Sequence, residues 1–420
     1  MKILITGGYG FIGRHCARAL IAAGHNVICG GRGPARVDAP RLARHMDVDF
    51  MRDFDVQDWR RRLAGIDLVI NAVGAIADEA GQNLEAIHVV APRALFYACV
   101  WLNIRVINIS ALGADDGARS KFHITKKAAD DYLLAMHGKA VVVQPSLVFG
   151  VDGASSRLLM TLASLPLIPL IGSGAQLVQP VHVDDVAAVV TKLVATQACY
   201  GRRLPIVGPA PVEIRNYLQT LRTAMGLGRA RFLSIPANIV SRVARFTARW
   251  VTPETVQMLE RGNTATPLYT RKLLGHAPRS ARDFIARASA ADLALKARLP
   301  WLLALLRMAV AFIWLVAGVV SAGLYPLDES AALVEAIGVP HGVAIALVYA
   351  GAAVDIGLGL ATLTVRRRAL LWLVQIAVIV AYTLIISIWL PEFWLHPFGP
   401  LAKNIPLLAT IYFLYQLERG

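Results

Sequence analysis

Lys2-Ile3-Leu4-Ile5-Thr6-Gly7-Gly8-Tyr9-Gly10-Phe11-Ile12-Gly13 opens the chain, and its reading decides the fold. Lys2–Ile5 is a short apolar strand, and a helical pattern runs from Arg14 to about Ala23. Between them each glycine has a physical task. Gly7 lets the chain turn off the strand, Gly10 removes a side chain where backbone must approach a pyrophosphate, and Gly13 lets the helix pack on the strand. Phosphates would then meet the helix N-terminus, where free N–H groups and the helix dipole favour negative charge. A glycine triplet alone is weak evidence. With a strand before it and a helix after it, the stretch reads as a dinucleotide-binding turn in which Thr6, Gly7, Gly10, Phe11, Ile12 and Gly13 surround the cofactor.

Working outward, Asn26–Cys29, Asp67–Asn71, Arg105–Ile109 and Ala140–Gln144 read as further strands. Leu84–Leu102 and Lys121–Met136 read as helices between them. This alternation predicts an α/β Rossmann-type fold with a doubly wound parallel sheet and right-handed crossovers. Beyond residue 150 the alternation loosens at Pro166, Pro169 and Pro180, and Asp184-Asp185 is expected to cap a helix beginning at Val186. Ile235–Trp250 carries Arg242, Arg245 and Arg249 largely opposite an apolar face. It reads equally as a membrane-surface helix or as a soluble helix with a solvated basic face.

At 420 residues the chain exceeds one ordinary domain, and its 56% hydrophobic content is unevenly spread. Residues 1–299 form an ordinary charged α/β sequence with a small substrate-side part at about 150–299, whereas residues 300–420 are mostly apolar. Apolar segments at roughly 301–323, 342–365, 369–390 and 404–417 predict an all-α, four-helix transmembrane bundle, the last segment being short. Arg287, Lys296 and Arg298 precede the first segment, and Arg366-Arg367-Arg368 separates the second from the third. The intervening connection holds Asp328, Glu329 and Glu335 without Lys or Arg. This pattern predicts a multi-pass protein of the inner (cytoplasmic) membrane with both termini and the nucleotide domain in the cytoplasm. The glycine motif begins too early to leave room for a signal peptide, in keeping with that expectation.

The net charge of +15 is spread along the soluble part without a compact basic stripe, which argues against nucleic acid and for an anionic membrane surface. Cys16, Cys29, Cys99 and Cys199 lie far apart, so neither a metal site nor a disulfide framework is expected. Two charges fall inside the apolar segments. Arg307 and Asp355 differ in depth by about 6 Å in antiparallel spans and are expected to pair, either as a structural clamp or in a ligand or proton role. Gly351, Ala352, Gly357 and Gly359 would let those helices approach closely.

Five motifs carry a family resemblance: TGGYGFIG (6–13), NAVG (71–74), ISALGAD (109–115), QPSLVFG (144–150) and QPVHVDDVA (179–187). On these, residues 1–285 resemble the extended and atypical short-chain dehydrogenase/reductase superfamily, including its NAD-dependent epimerase/dehydratase-like members. ISALGAD looks like the branch that holds the nucleotide-binding accessory subunit of respiratory complex I. The C-terminal part is similar to DoxX-like membrane domains. The resemblance implies a catalytic serine and a Tyr-x-x-x-Lys pair. Ser110 fits the serine and Lys126 the lysine, but Phe122 stands where the tyrosine should be. Tyr132 is at the wrong offset, and His123 points about 100° away from Phe122 on a helix. Carbonyl reduction by the usual route should therefore be impaired. The resemblance also implies cofactor contacts at Ala72, Val73, Gly74, Lys126 and Pro145, and at Asp49 on the adenine side. His182 reads as structural.

The second strand ends Cys29-Gly30-Gly31-Arg32, with Arg36 behind it and no acid before Asp38. Arginine in place of the ribose-binding acid favours NADP(H) over NAD(H). Two functions from different classes follow. One is a membrane-tethered, NADP-dependent oxidoreductase acting on a lipid- or quinone-like substrate. The other is a non-catalytic nucleotide-binding sensor or accessory subunit of a membrane complex. Phe122 argues for the second; Ser110 and Lys126 argue for the first. Transport by the helical part has little behind it.

Overall fold

The computed structural model describes residues 1–33, 43–78, 81–236, 238–239, 258–259 and 261–419. Arg36, Asp38, Arg242, Arg245 and Arg249, on which parts of the reading above rest, lie outside the described residues. The chain divides into two units, Met1–Ala297 and Arg298–Gly420.

The first unit is built on a seven-stranded parallel sheet. Its strands are β1 (Lys2–Thr6), β2 (Asn26–Gly31), β3 (Arg44–Asp47), β4 (Leu68–Asn71), β5 (Arg105–Ile109), β6 (Ala140–Pro145) and β7 (Arg203–Ile206), in the order β7-β6-β5-β4-β1-β2-β3. Helices α1 (Phe11–Ala22), α2 (Val56–Arg62), α3 (Ala91–Trp101), α4 (Lys121–Ala135), α5 (Ala154–Ser164) and α6 (Val183–Ala195) follow in chain order. Strand residues alternate between two cores. Ile3, Ile5, Leu68, Ile70, Ile107 and Val143 join Cys16, Leu20 and Val190 on one face. Leu4, Val69, Val106 and Val142 join Trp59, Leu95, Phe96 and Leu133 on the other. Because helices cover both faces, the central strands are mostly apolar, as buried parallel strands tend to be. The strand order reverses between β1 and β4, and ligands of such sheets bind at that point, outside the carboxyl ends of the strands. A third core around Phe149, Met160, Ile168, Tyr217 and Phe284 builds the remainder of this unit. All four cysteines are free; Cys16, Cys29 and Cys99 are buried and Cys199 is partly exposed.

Three local expectations are corrected. Helix α1 starts at Phe11 rather than Arg14, with Gly10 as its N-cap. The helix expected over Leu84–Leu102 begins as a π-helical turn, Ala86–Val90, before α3. Pro92 has no N–H for the carbonyl four residues back, and the Ala91 N–H reaches Ala86 O instead. Helix α6 starts at Val183, not Val186. Its cap is His182, whose Nδ1 accepts the Asp184 N–H at 3.2 Å, while Asp184 and Asp185 occupy the first turn, where the dipole favours them.

In the second unit, α7 (Ala290–Val319, entering from the first unit), α8 (His341–Thr364), α9 (Ala369–Trp389) and α10 (Asn404–Glu418) are the long helices. Three helical segments, Arg287–Leu324, His341–Thr364 and Ala369–Trp389, are long and apolar enough to cross a membrane. Helix α10 has 15 residues, about 22 Å of rise against a hydrocarbon core of about 30 Å. Val310, Trp314, Leu358, Trp372, Ile379 and Ile411 form the core of this unit. Trp314 Nε1 donates to Gln375 Oε1 at 3.0 Å, and Gln375 Nε2 donates to Thr362 Oγ1 at 2.8 Å, so α7, α8 and α9 are joined by satisfied polar groups. Close approach of α7 and α8 rests on Gly318 and Gly359. A Cβ on Gly318 would lie 2.8 Å from Ala352 O, and one on Gly359 2.7 Å from Leu315. Gly357 faces open space and plays no such part.

The expected pairing of Arg307 with Asp355 is not made. Arg307 Nε donates to Glu418 Oε1 at 2.6 Å, and Nη2 lies 2.5 Å from the same oxygen. Trp372 Nε1 donates to Glu418 Oε2 at 3.3 Å, with Arg368 at 4.0 Å. Glu418 was passed over because it lies past the last apolar residue, where a charge is unremarkable in a sequence. The end of α10 nonetheless lies beside the middle of α7 and the start of α9, and the acid at the end of α10 is nearer than the acid from mid-α8. Removing one partner of a half-buried pair strands the other charge. Glu418→Ala should lower stability by about 2 kcal/mol, less than for a fully buried pair because Arg307 is 27% exposed. Adding Arg307→Ala should restore part of the loss, as read from thermal unfolding of the detergent-purified chain.

Candidate functional site

The site starts from a close approach at the end of β1. Gly7 has φ +71, and a Cβ there would lie 2.8 Å from the backbone of Ala72, at the end of the neighbouring strand. A Cβ on Gly13 would lie 2.2 Å from Gly7 O, so α1 seats directly on the turn. Gly10 caps α1 without a side-chain bond, and no acid sits in the first turn. That end of the helix is thus left to an external anion. Phe11 and Ile12 offer it backbone only, since the Phe11 ring packs against Gly150 and Gly153 and Ile12 packs into the core.

A cleft of about 440 Å³ opens here, lined by Gly7, Gly10, Arg32, Asp49, Val73 and Gly74, with Tyr9 and Ala75 beside them. These groups fit a dinucleotide: a glycine cradle for phosphates at one end and side chains for a ribose and base at the other. The end of β2 has room for no acid. A Cβ on Gly31 would lie 2.5 Å from the Tyr9 ring, and Tyr9 Oη is held 2.8 Å from His45 Nδ1. Arg32 is exposed at the rim. Asp49 Oδ1 accepts the Met51 N–H at 3.0 Å, which orients the carboxylate in the cleft wall.

Thr6 does not line this cleft. It is fully buried, and its hydroxyl donates to Asn71 Oδ1 at 2.8 Å. It begins a row that the sequence reading missed. Thr6, Asn71 and Asn108 are register partners on β1, β4 and β5, so their side chains stand side by side on one face. Asn71 Nδ2 donates to Asn108 Oδ1, and Asn108 Nδ2 donates to Asp130 Oδ1, each at 2.8 Å. Asp130 Oδ2 receives the Ser110 hydroxyl at 2.6 Å and Gln144 Nε2 at 3.2 Å. Asp130 is fully buried, and burial pushes its carboxyl up to about 6 despite these donors. Polar residues closing apolar strands (DLVIN, RVINIS, VVVQP) were the available signal. Asp130 itself, one turn after Lys126, is unremarkable until the fold turns it inward.

Lys126 is buried on the same helix. Its Nζ donates to Val73 O at 3.1 Å and Ile109 O at 3.2 Å, and so ties the cleft wall to the residue before Ser110. Burial lowers its ammonium to about 8, opposed by the nearby Asp130. The Phe122 ring lies edge-on to His88, with centroids 5.6 Å apart, and to His123 at 5.2 Å. Neither histidine replaces the missing hydroxyl. The Thr125 hydroxyl is given to backbone carbonyls, so His88 Nδ1–H donates to Thr125 Oγ1 at 2.9 Å. His88 Nε2 accepts the Ala75 N–H at 3.2 Å. Burial, then the Lys126 charge, holds this imidazole neutral down to about 2. His123 Nδ1 lies 3.1 Å from Ser120 Oγ at the start of α4. The Tyr132 ring is covered by the Arg93 guanidinium at 5.1 Å. Pro145 is buried at the end of β6, its carbonyl taken by the Leu112 N–H. His182 packs on Phe149 and Phe284, in keeping with a structural role.

Residues 3–200 match the NAD dependent epimerase/dehydratase family, and residues 311–412 match the DoxX-like family. A ceramide reductase of Caulobacter vibrioides is 27% identical over 219 residues, which cover 49% of this chain and 62% of the relative. The mitochondrial NADH dehydrogenase (ubiquinone) 1 alpha subcomplex subunit 9 of Arabidopsis thaliana is 30% identical over 254 residues, covering 57% of this chain and 61% of the relative. The chain thus spans about three fifths of the length of these two curated relatives. The UDP-glucuronic acid 4-epimerase from Bacillus cereus, solved with UDP-glucuronic acid and NAD, superposes with a TM-score of 0.52 at 20% identity, over 70% of this chain and 99% of that one. That likeness is one of fold. The N-terminal part of the chain is therefore similar to the NAD dependent epimerase/dehydratase family, an NAD(P)-binding family, and is joined in one polypeptide to a part that is similar to the DoxX-like family.

Proposed function

We propose that the chain is a membrane-anchored, NADP(H)-dependent oxidoreductase that reduces the carbonyl of a lipid- or quinone-like substrate. The observation that carries this reading is the Ser110–Asp130 contact at 2.6 Å, on the same helix as Lys126, whose Nζ bonds the cleft wall at Val73 O. When bound, the nicotinamide supplies a hydride to the carbonyl carbon. Lys126 holds the nucleotide's ribose, and Ser110 orients the carbonyl oxygen. With no hydroxyl at Phe122, Ser110 Oγ would give its proton to the carbonyl oxygen and take one from a protonated Asp130, the 2.6 Å bond then running from Asp130 to Ser110, and Asp130 would regain its proton from solvent between turnovers. The ceramide reductase relative supports a lipid-like substrate. The likeness to a complex I subunit, together with Phe122, favours a second reading: a non-catalytic sensor or accessory subunit of a membrane complex.

NADPH oxidation by the detergent-purified chain with long-chain ketones and quinones separates the two, since the second reading expects none. A proton-bearing Asp130 is needed for reduction, and its carboxyl sits near 6. Reductive kcat/KM should therefore fall as pH rises above about 6. Asp130→Asn should lower it about 10²–10⁴-fold and flatten that limb. Phe122→Tyr should raise the rate and shift the pH dependence away from Asp130. An unchanged rate in Asp130→Asn would refute the relay.

NADP(H) preference rests on Arg32 at the rim and on the packing of Tyr9 over Gly31. A charge-assisted bond to a 2′-phosphate contributes about 1.5–3 kcal/mol. NADPH should bind roughly 10–100-fold more tightly than NADH, and Arg32→Asp should abolish or reverse the difference in a fluorescence titration.

For orientation, the arginines at 366–368 and the acidic connection before α8 support a cytoplasmic nucleotide unit. With an impermeant maleimide on intact cells, Ser330→Cys and His396→Cys should label and Arg367→Cys should not. Labelling at 367 would overturn this topology.

A further inference from the structure

With Arg307 engaged by Glu418, Asp355 is left without the partner its sequence context called for. It lies midway along α8, is 8% exposed, and its Oδ1 has no hydrogen-bond partner. It lines a cavity of about 480 Å³ contained within the second unit, in the size range of small-molecule sites. The walls are mostly apolar and come from the turn after α7, the connecting helix Leu327–Glu335, α8, α9 and the turn after α9, among them Val348, Ile386 and Phe393, with the Ser321, Tyr325, Ser330 and Tyr382 hydroxyls as the other polar groups. No Lys, Arg or His is among the lining residues. Gly351, one turn before Asp355, keeps the wall open: a Cβ there would already lie 3.6 Å from the Tyr382 hydroxyl, which shares the cavity.

A buried carboxylate in an apolar setting, if it is to be ionised, needs a hydrogen-bond donor and a counter-charge. The protein supplies neither at Oδ1. A hydroxyl-bearing guest would satisfy the oxygen and leave the charge. An ammonium group satisfies both, and an apolar chain attached to it would fill the remaining walls. We propose that this cavity binds a single-chain membrane amphiphile through a protonated primary amine, with Asp355 as counter-ion and the Tyr382 hydroxyl as the second polar contact. The site is independent of the nucleotide cleft and of the activity proposed for it.

The test is scintillation-proximity binding of tritiated hexadecylamine to the immobilised, detergent-purified full chain, with unlabelled hexadecylamine, hexadecanol and hexadecanoate as competitors. Saturable binding is expected, with the amine the strongest competitor and the acid the weakest. Asp355→Asn, which removes the charge at constant shape, should weaken binding at least tenfold. Gly351→Leu, which fills the cavity and keeps the acid, should weaken it as well; monodisperse elution of both variants checks that they are folded. Absence of saturable binding overturns the proposal, as does wild-type affinity in either variant. Hexadecanol competing as well as hexadecylamine overturns the ionic recognition.

Discussion

The packing of β5, β6 and α4 hangs on Asp130. A carboxylate at the centre of a parallel sheet's helix layer would ordinarily be expensive, because desolvation outweighs what one hydrogen bond returns. Here each oxygen is met by donors: Asn108 at one, Ser110 and Gln144 at the other. Strands β5 and β6 and helix α4 are thereby fixed in one relative position. A slip of one residue along either strand would turn Asn108 or Gln144 to the opposite face and orphan the acid. The same constraint sets where Lys126 emerges, since it lies one turn before Asp130 on the same face of α4.

The membrane unit solves a related problem differently. Its polar side chains are shared between helices, Trp314 with Gln375 and Gln375 with Thr362, so that lipid-side desolvation is matched by bonds across helix contacts. Arg307, Trp372 and Glu418 repeat the pattern with charges. Asp355 departs from it: among the described residues of this unit, its Oδ1 is the buried side-chain polar atom left without a partner.

The fold was legible because its determinants are local. The glycines of the first turn, the apolar central strands and the long apolar segments each announce themselves locally, whereas the edge strands β3 and β7, which carry Arg44, Asp47 and Arg203, were not among the expected strands. Ser110, Phe122 and Lys126 were singled out by the family resemblance, through its serine and Tyr-x-x-x-Lys pattern. What could not be read were juxtapositions across long sequence distances. Asn71, Asn108 and Asp130 look like ordinary strand-end and helix residues until register aligns them. Glu418 pairs with Arg307 only because the end of the last helix comes beside the middle of α7. The Val183 start of α6 was missed because histidine is an uncommon cap and the two acids after it resemble a commoner one.

The buried cysteines lend the nucleotide unit internal gauges. Cys16 and Cys29 lie in the core on one face of the sheet and Cys99 in the core on the other. Burial pushes the Cys16 thiol up to about 12 and the Cys29 thiol up to about 11, and it raises Cys99 as well. Alkylation proceeds through the thiolate, so the closed unit offers reagents chiefly the part-exposed Cys199. Each buried thiol becomes reactive only when its own layer separates from the sheet. The unaltered chain thus carries chemical clocks on both faces, and their relative rates would reveal whether the α1 side or the α3 side breathes first.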